Sequence, residues 1–180
     1  MARKKQSLPY RSCVGIMVLS RQGKAWAGHR VADRSANDPD AGEDRDLRWQ
    51  MPQGGIDKGE EPFEAAMREL WEETGMQSVR LLARAPYVLR YDLPKELVGT
   101  ALKGKYCGQE LHWFAVLFEG EESEINISNS PDGAPIEFDR WKWVDPQHLP
   151  EMIIPFKRQM YREVVDCFRN VALTLSEKNG

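Results

Sequence analysis

The chain has 180 residues, 41% of them hydrophobic and 29% charged, and carries a formal net charge of -3. That length and apolar content suit one globular domain with its own core, and the weakly negative charge excludes a global positive field able to hold long tracts of DNA or RNA. No apolar run approaches the roughly 18 residues of a membrane-spanning helix, and the basic start MARKKQSLPYR leads into a polar turn rather than a secretory core, so a cytoplasmic protein without a membrane partner is expected.

Residues 1–9 read as a basic tail, with Arg3, Lys4 and Lys5 solvated. CVGIMVLS at 13–20 is a β-branched, apolar run that stops at the turn RQGK, and KAWAGHR can pair back on it as a hairpin. From 31 to 48 the chain turns polar and acidic with Pro and Gly, the pattern of a long exposed loop. WQMPQGGID then brings a short strand into a turn, and a helix is predicted over 60–74. Pro62 suits its first turn, acidic residues favour its N-terminus, and Gly75 is placed to stop it. VRLLARA, YVLRYDLP, ELHWFAVLFEG and IEFDRWKWVD read as strands. A closing helix over 155–175 puts Phe156, Met160, Val164, Phe168 and Val171 on one side.

Strands on both sides of a central helix, closed by a second helix, predict one mixed α/β domain over 10–175, with a short tail at 176–180. The three cysteines, Cys13, Cys107 and Cys167, are odd in number and far apart, so free thiols are expected. The histidines are scattered and no GxGxxG follows a strand, which gives no sign of a haem, flavin or nicotinamide site.

The chemistry is concentrated on the first helix. Phe63, Ala66, Met67, Leu70 and Thr74 share one arc and face the core, while Glu69, Glu72 and Glu73, at i, i+3 and i+4, share the neighbouring face. Like charges at that spacing repel. One reading is a solvated glutamate face. The other is a site for hard divalent cations, because Mg²⁺ and Mn²⁺ prefer oxygen ligands and turn the repulsion into coordination.

The spacing separates the two. Gly54, five residues, Glu60, seven residues, then Arg68-Glu69-Leu70, Glu72-Glu73 and Gly75-Met76 resembles the Nudix box, the signature of the Nudix hydrolase superfamily. Seven fixed letters match by chance on the order of 10⁻⁹ times per starting point. The resemblance implies a Nudix fold, a mixed β-sheet sandwiched between helices in a single domain. It also implies that Glu69, Glu72 and Glu73, with Gly54, hold Mg²⁺ or Mn²⁺, and that Arg68 and Glu60 brace the loop against the helix. The reaction class it implies is hydrolysis of a phosphoanhydride.

Outside the box, YRSCVGIMVLSRQGKAWAGHR, WQMPQGGID, LRYDLP, GQELHWF, EFDRWKWV and PFKRQMYREVV together resemble the bacterial RNA pyrophosphohydrolases and the related asymmetric dinucleoside tetraphosphatases. That likeness implies removal of pyrophosphate from 5′-triphosphorylated RNA at the start of mRNA decay, with diadenosine tetraphosphate (Ap4A) hydrolysis as the alternative. It makes Glu137 an extra catalytic and metal-binding carboxylate. Arg11, Arg30, Gln109, Phe156 and Lys157 become substrate contacts. Cys107 stands where many relatives carry Arg, so one phosphate contact is expected to be missing. The implied partner is the 5′ end of RNA or a dinucleoside polyphosphate, with no DNA, and the chain is taken as a monomer. A non-catalytic sensor of nucleotides or RNA 5′ ends is the reading from another class; such proteins usually lose box carboxylates, and this chain keeps them all.

Overall fold

Alternation decides the architecture. In the first strand, β1 (Tyr10–Leu19), Cys13, Met17 and Leu19 point into one apolar cluster, while Val14, Ile16 and Val18 point into another. A strand buried on both faces belongs in the middle of a sheet. The computed structural model, which describes residues 8–31, 47–129, 133 and 135–178, puts it there.

β1 runs parallel to β7 (Gly108–Phe118), from Tyr10 beside Gly108 to Leu19 beside Leu117. β7 alternates in the same way: Leu111, Trp113 and Ala115 join the first cluster, and Phe114, Val116 and Phe118 the second. β2 (Ala25–Arg30) meets β1 only at Leu19 beside Ala25, so the hairpin expected over 13–30 closes at its turn and then opens. β2 goes on to pair with β3 (Trp49–Gln50) and with β8 (Phe138–Val144). The edge that β1 leaves open is taken by β4 (Gln53–Gly55), which pairs antiparallel with Cys13, Val14 and Gly15. β5 (Val79–Arg84) and β6 (Leu89–Asp92) both run antiparallel to β7. The result is a mixed sheet of eight strands.

A helix covers each face. α1 (Pro62–Thr74) lays Ala65, Ala66 and Leu70 on the cluster around Val14, Ile16, Trp26 and Phe114, with Phe63 and Met67 half-buried at its margin. α3 (Arg158–Lys178) lays Met160, Tyr161, Val164, Phe168 and Ala172 on the other face, preceded by the short α2 (Leu149–Met152). Each fully buried Ile, Leu or Phe contributes about 1.5–3 kcal/mol. The first of these apolar layers, rather than helix propensity, fixes α1 against the sheet, and the second fixes α3.

Both long helices differ from the expected bounds. α1 begins at Pro62, not at residue 60, because the Glu60 carboxylate is engaged in the turn before it, accepting the Asp57 N–H at 2.9 Å. Its end agrees with the sequence: Gly75 takes φ 74° and donates its N–H to Trp71 O at 2.8 Å. The closing helix starts as a 3-10 turn over Pro155–Lys157, becomes α-helical at Arg158, and runs past residue 175 to Lys178. The three cysteines are free thiols, Cys13 buried and the others half-buried. Among the described residues no helix is long and apolar enough to cross a membrane. Residues 32–46 of the expected acidic loop, and Arg3, Lys4 and Lys5, lie outside the described residues.

Candidate active site

Arg68 organises the acidic face of α1. Its Nε and Nη2 donate to the two oxygens of Glu60 at 2.8 and 2.9 Å, a fork that fits a carboxylate. Nη2 also donates to Gly55 O at 2.9 Å, and Nη1 reaches Glu69 at 2.9 Å and Glu72 at 3.3 Å. The Arg68 side chain, with the Asp57 N–H, holds the Glu60 carboxyl down at about 2. The Glu60 carboxylate in turn pushes the Arg68 guanidinium further up, so both stay ionised. One arginine thus ties the Gly55 turn, the loop before α1 and two turns of the helix.

Beyond this brace lies a cavity of about 330 Å³. Glu69, Glu73 and Glu137 line it, together with Arg11, Arg30, Lys103 and Lys157. Three amides, Gln50, Gln53 and Gln109, and the wall residues Gly54, Gly55, Tyr91 and Leu102 complete it. Glu137, just ahead of β8, is bound by Arg30 Nε at 2.7 Å, which brings the end of β2 and the start of β8 onto one wall. Glu73 accepts the Gln53 N–H at 3.3 Å, and Gln53 Nε2 donates to Gln109 Oε1 at 3.3 Å. Lys157 is only 2% exposed, with its ammonium 5.5 Å from the centre of the Tyr91 ring.

Burial raises the carboxyls of both Glu69 and Glu73 above the usual range. For Glu73 the shift is large, because the Glu137 and Glu69 carboxylates add repulsion to burial. The backbone is shaped around these acids. A Cβ added to Gly54 would lie 2.0 Å from the Glu69 carboxyl carbon, and one added to Gly55 would lie 2.5 Å from Arg11 Nη2.

These residues fit a divalent cation. The donors are hard oxygens, the carboxylates repel one another, and the buried oxygens Gln50 Oε1 and Gln53 Oε1 have no hydrogen-bond partner among the described residues. Among the described residues no three acidic, His or Cys side chains are gathered closely enough to form a ready-made metal cage. Glu69 and Glu137 are each paired with an arginine.

The tertiary structure brings together Gly54, Glu69, Glu73, Glu137, Arg11, Arg30, Gln109 and Lys157 from the sequence reading. Glu60 and Arg68 form the brace behind the cavity, and two of the proposed metal or substrate contacts are off the cavity wall. Glu72 is half-buried on Arg68, and Phe156 packs on the core beneath α3, with its ring 5.6 Å from that of Tyr91. Cys107 is also off the wall: its N–H donates to Pro9 O at 3.0 Å and its carbonyl accepts from the Leu93 N–H at 2.8 Å. Sequence reasoning did not single out Gln50, Gln53, Gly55, Tyr91, Leu102 or Lys103. The first three sit inside WQMPQGGID, whose turn signal marked the segment without marking its side chains.

The model of the NUDIX domain family matches residues 9–164. The RNA pyrophosphohydrolase of Brucella anthropi is 57% identical over 92% of this chain and 93% of its own length. The protein of the same name from Rhizobium meliloti is 55% identical over 92% and 97%, and that from Mesorhizobium japonicum 54% identical over 93% and 95%. Among solved structures, the Escherichia coli dihydroneopterin triphosphate pyrophosphohydrolase is similar with a TM-score of 0.58 at 17% identity, covering 88% of this chain and 98% of that one. A Caenorhabditis elegans Ap4A hydrolase in a binary complex has a TM-score of 0.58 at 14% identity, covering 89% and 98%. At that level of identity the two structures share the fold. The family match spans the sheet, α1 with its braced carboxylates and the whole cavity wall, and this chain belongs to the NUDIX domain family.

Proposed function

We propose that this chain releases pyrophosphate from 5′-triphosphorylated RNA and leaves a 5′-monophosphate end, the step that opens an mRNA to decay in the cytoplasm. The observation that supports this most is the likeness, over nearly the whole chain, to relatives named RNA pyrophosphohydrolase at 54–57% identity. Among the similar proteins, the Ap4A alternative is supported at the level of the fold, by a structure 14% identical.

Family members generally use divalent cations. Magnesium or manganese would be held here by Glu69, Glu73 and Glu137 beside the backbone of Gly54, with Glu72 next to them on α1. When bound, such an ion supplies positive charge against the phosphoanhydride oxygens. Arg11 and Lys157 bind phosphate oxygens, and Gln109 contacts the first nucleotide. Arg30, at 2.7 Å, fixes the orientation of Glu137, whose carboxylate takes a proton from the attacking water. The water oxygen bonds to phosphorus, the anhydride P–O bond breaks, and its electron pair leaves with pyrophosphate.

The test is Glu72→Gln, a half-buried position whose loss leaves the core intact. Pyrophosphate release should fall below detection while the melting temperature holds; an active, folded variant would remove Glu72 from the machinery. Wild-type kcat/KM for triphosphorylated RNA and for diadenosine tetraphosphate, with each metal, decides the substrate. A preference of about 100-fold for the dinucleotide, roughly 2.7 kcal/mol in transition-state binding, would overturn the RNA reading.

A further inference from the structure

Lys103 stands apart from the other cations of the cavity. Arg30 is bound to Glu137, Lys157 is buried beside the Tyr91 and Phe156 rings, and Arg11 lies against Gly55. Lys103 lines the same cavity but is exposed, and among the described residues it has no ion-pair or hydrogen-bond partner.

Its backbone is unusual as well. Leu102, at φ 53°, and Lys103, at φ 59°, are the two non-glycine residues with positive φ among the described residues, and Gly104 follows at 68°. Side chains seldom occupy that region, and where they do the surroundings must enforce it. Here they do. Ala101 is fully buried, Leu102 packs on the core beneath α3, and the N–H groups of Gly104 and Lys105 donate to Ala101 O and Leu102 O at 3.0 and 3.3 Å. Gly104 has no room for a Cβ, which would meet Gly99 O at 2.7 Å. The turn therefore pins an apolar side chain in the core and presents the next residue, a cation, to the cavity.

Resting on the functional reading above, we propose that Lys103 is a polyphosphate-binding residue whose ammonium pairs with the phosphate chain of the substrate and sets affinity for it. Glu69, Glu73 and Glu137 on the same wall repel a polyanion, and an unpaired ammonium beside them offsets that repulsion. A solvated lysine on a flexible stem holds a phosphate equally well before and during bond breaking. Its effect therefore falls on KM rather than kcat.

The experiment compares wild type with Lys103→Ala, Lys103→Arg and Lys103→Gly on a long 5′-triphosphorylated RNA and on a triphosphorylated dinucleotide. Lys103→Ala should raise KM about 10-fold on both substrates, with kcat within about twofold of wild type. It should also make the dependence of log kcat/KM on log salt shallower by about 0.7, the value for one lost single-strand phosphate contact. Lys103→Arg restores KM. Lys103→Gly, which suits the left-handed backbone, melts higher than wild type yet shows the same KM defect. An unchanged KM, or a loss confined to the long RNA, overturns the proposal; the latter would place the contact on downstream phosphates. Calorimetric binding of inorganic tripolyphosphate needs no turnover. If wild type binds it at least about 5-fold more tightly than Lys103→Ala but hydrolyses no RNA, the functional reading fails and Lys103 stands; equal affinities would remove Lys103.

Discussion

Gly54→Ala tests the site geometry most directly. The added Cβ would sit 2.0 Å from the carboxyl carbon of Glu69 and 2.1 and 2.4 Å from its two oxygens. An unstrained carbon contact is about 3.5 Å, so the carboxylate must retreat by about 1.5 Å. It can move, being the end of a flexible side chain, and the Gly54 backbone itself suits alanine. The displacement costs Glu69 its 2.9 Å contact with Arg68, about 1 kcal/mol of stability at this part-buried site, or 2–4 °C in Tm. Activity should fall much further, because a shift of about 1 Å in a reacting group costs on the order of 10²-fold, or about 2.7 kcal/mol in the barrier. The assay is kcat/KM for pyrophosphate release from triphosphorylated RNA with Mg²⁺ or Mn²⁺, read beside a thermal melt. Gly59→Ala serves as the control: nothing lies within 4 Å of its added Cβ, and only its φ of 81° is strained, so it should lose stability and keep activity. Wild-type kcat/KM in Gly54→Ala would refute the placing of Glu69 in the catalytic machinery.

Two further outcomes follow from the charges. The Glu60 carboxyl is held at about 2 against an ordinary 4.5, so it stabilises the fold fully above pH 4.5 and loses that effect as the pH falls through 2; after screening at a part-exposed site this amounts to about 1–2 kcal/mol. Urea melts of Glu60→Gln across that window should show a flatter pH dependence than wild type, and parallel curves would contradict the Arg68 brace. Glu73 is strained the opposite way, by burial and by Glu137 and Glu69. In chelator-treated protein Glu73→Gln should therefore raise Tm by about 3 °C, and with Mg²⁺ or Mn²⁺ restored it should lack turnover; a lower Tm would show that the carboxylates are not in conflict.

The sequence by itself determined whatever is local. Arg68, Glu69, Glu72 and Glu73 share one face because the helix repeats every 3.6 residues, and the β-branched, apolar run CVGIMVLS already marks a strand. Gly75 as a stop and Pro62 in the first turn are likewise legible from residue chemistry. The start of α1 was less so, because Glu60 looks like a helix residue until its carboxylate is seen folded back onto the turn and Arg68. Only the tertiary structure decided what meets across the cavity. Glu137 reaches Arg30 because β8 pairs with β2, and Gln109 reaches Gln53 because β7 and β4 flank β1. The outward turn of Lys103 depends on Leu102 being anchored in the core, and Phe156 turned to pack on that core instead of lining the cavity. Strand order and register come from burial summed over the whole sheet, a quantity that no single stretch of the chain contains.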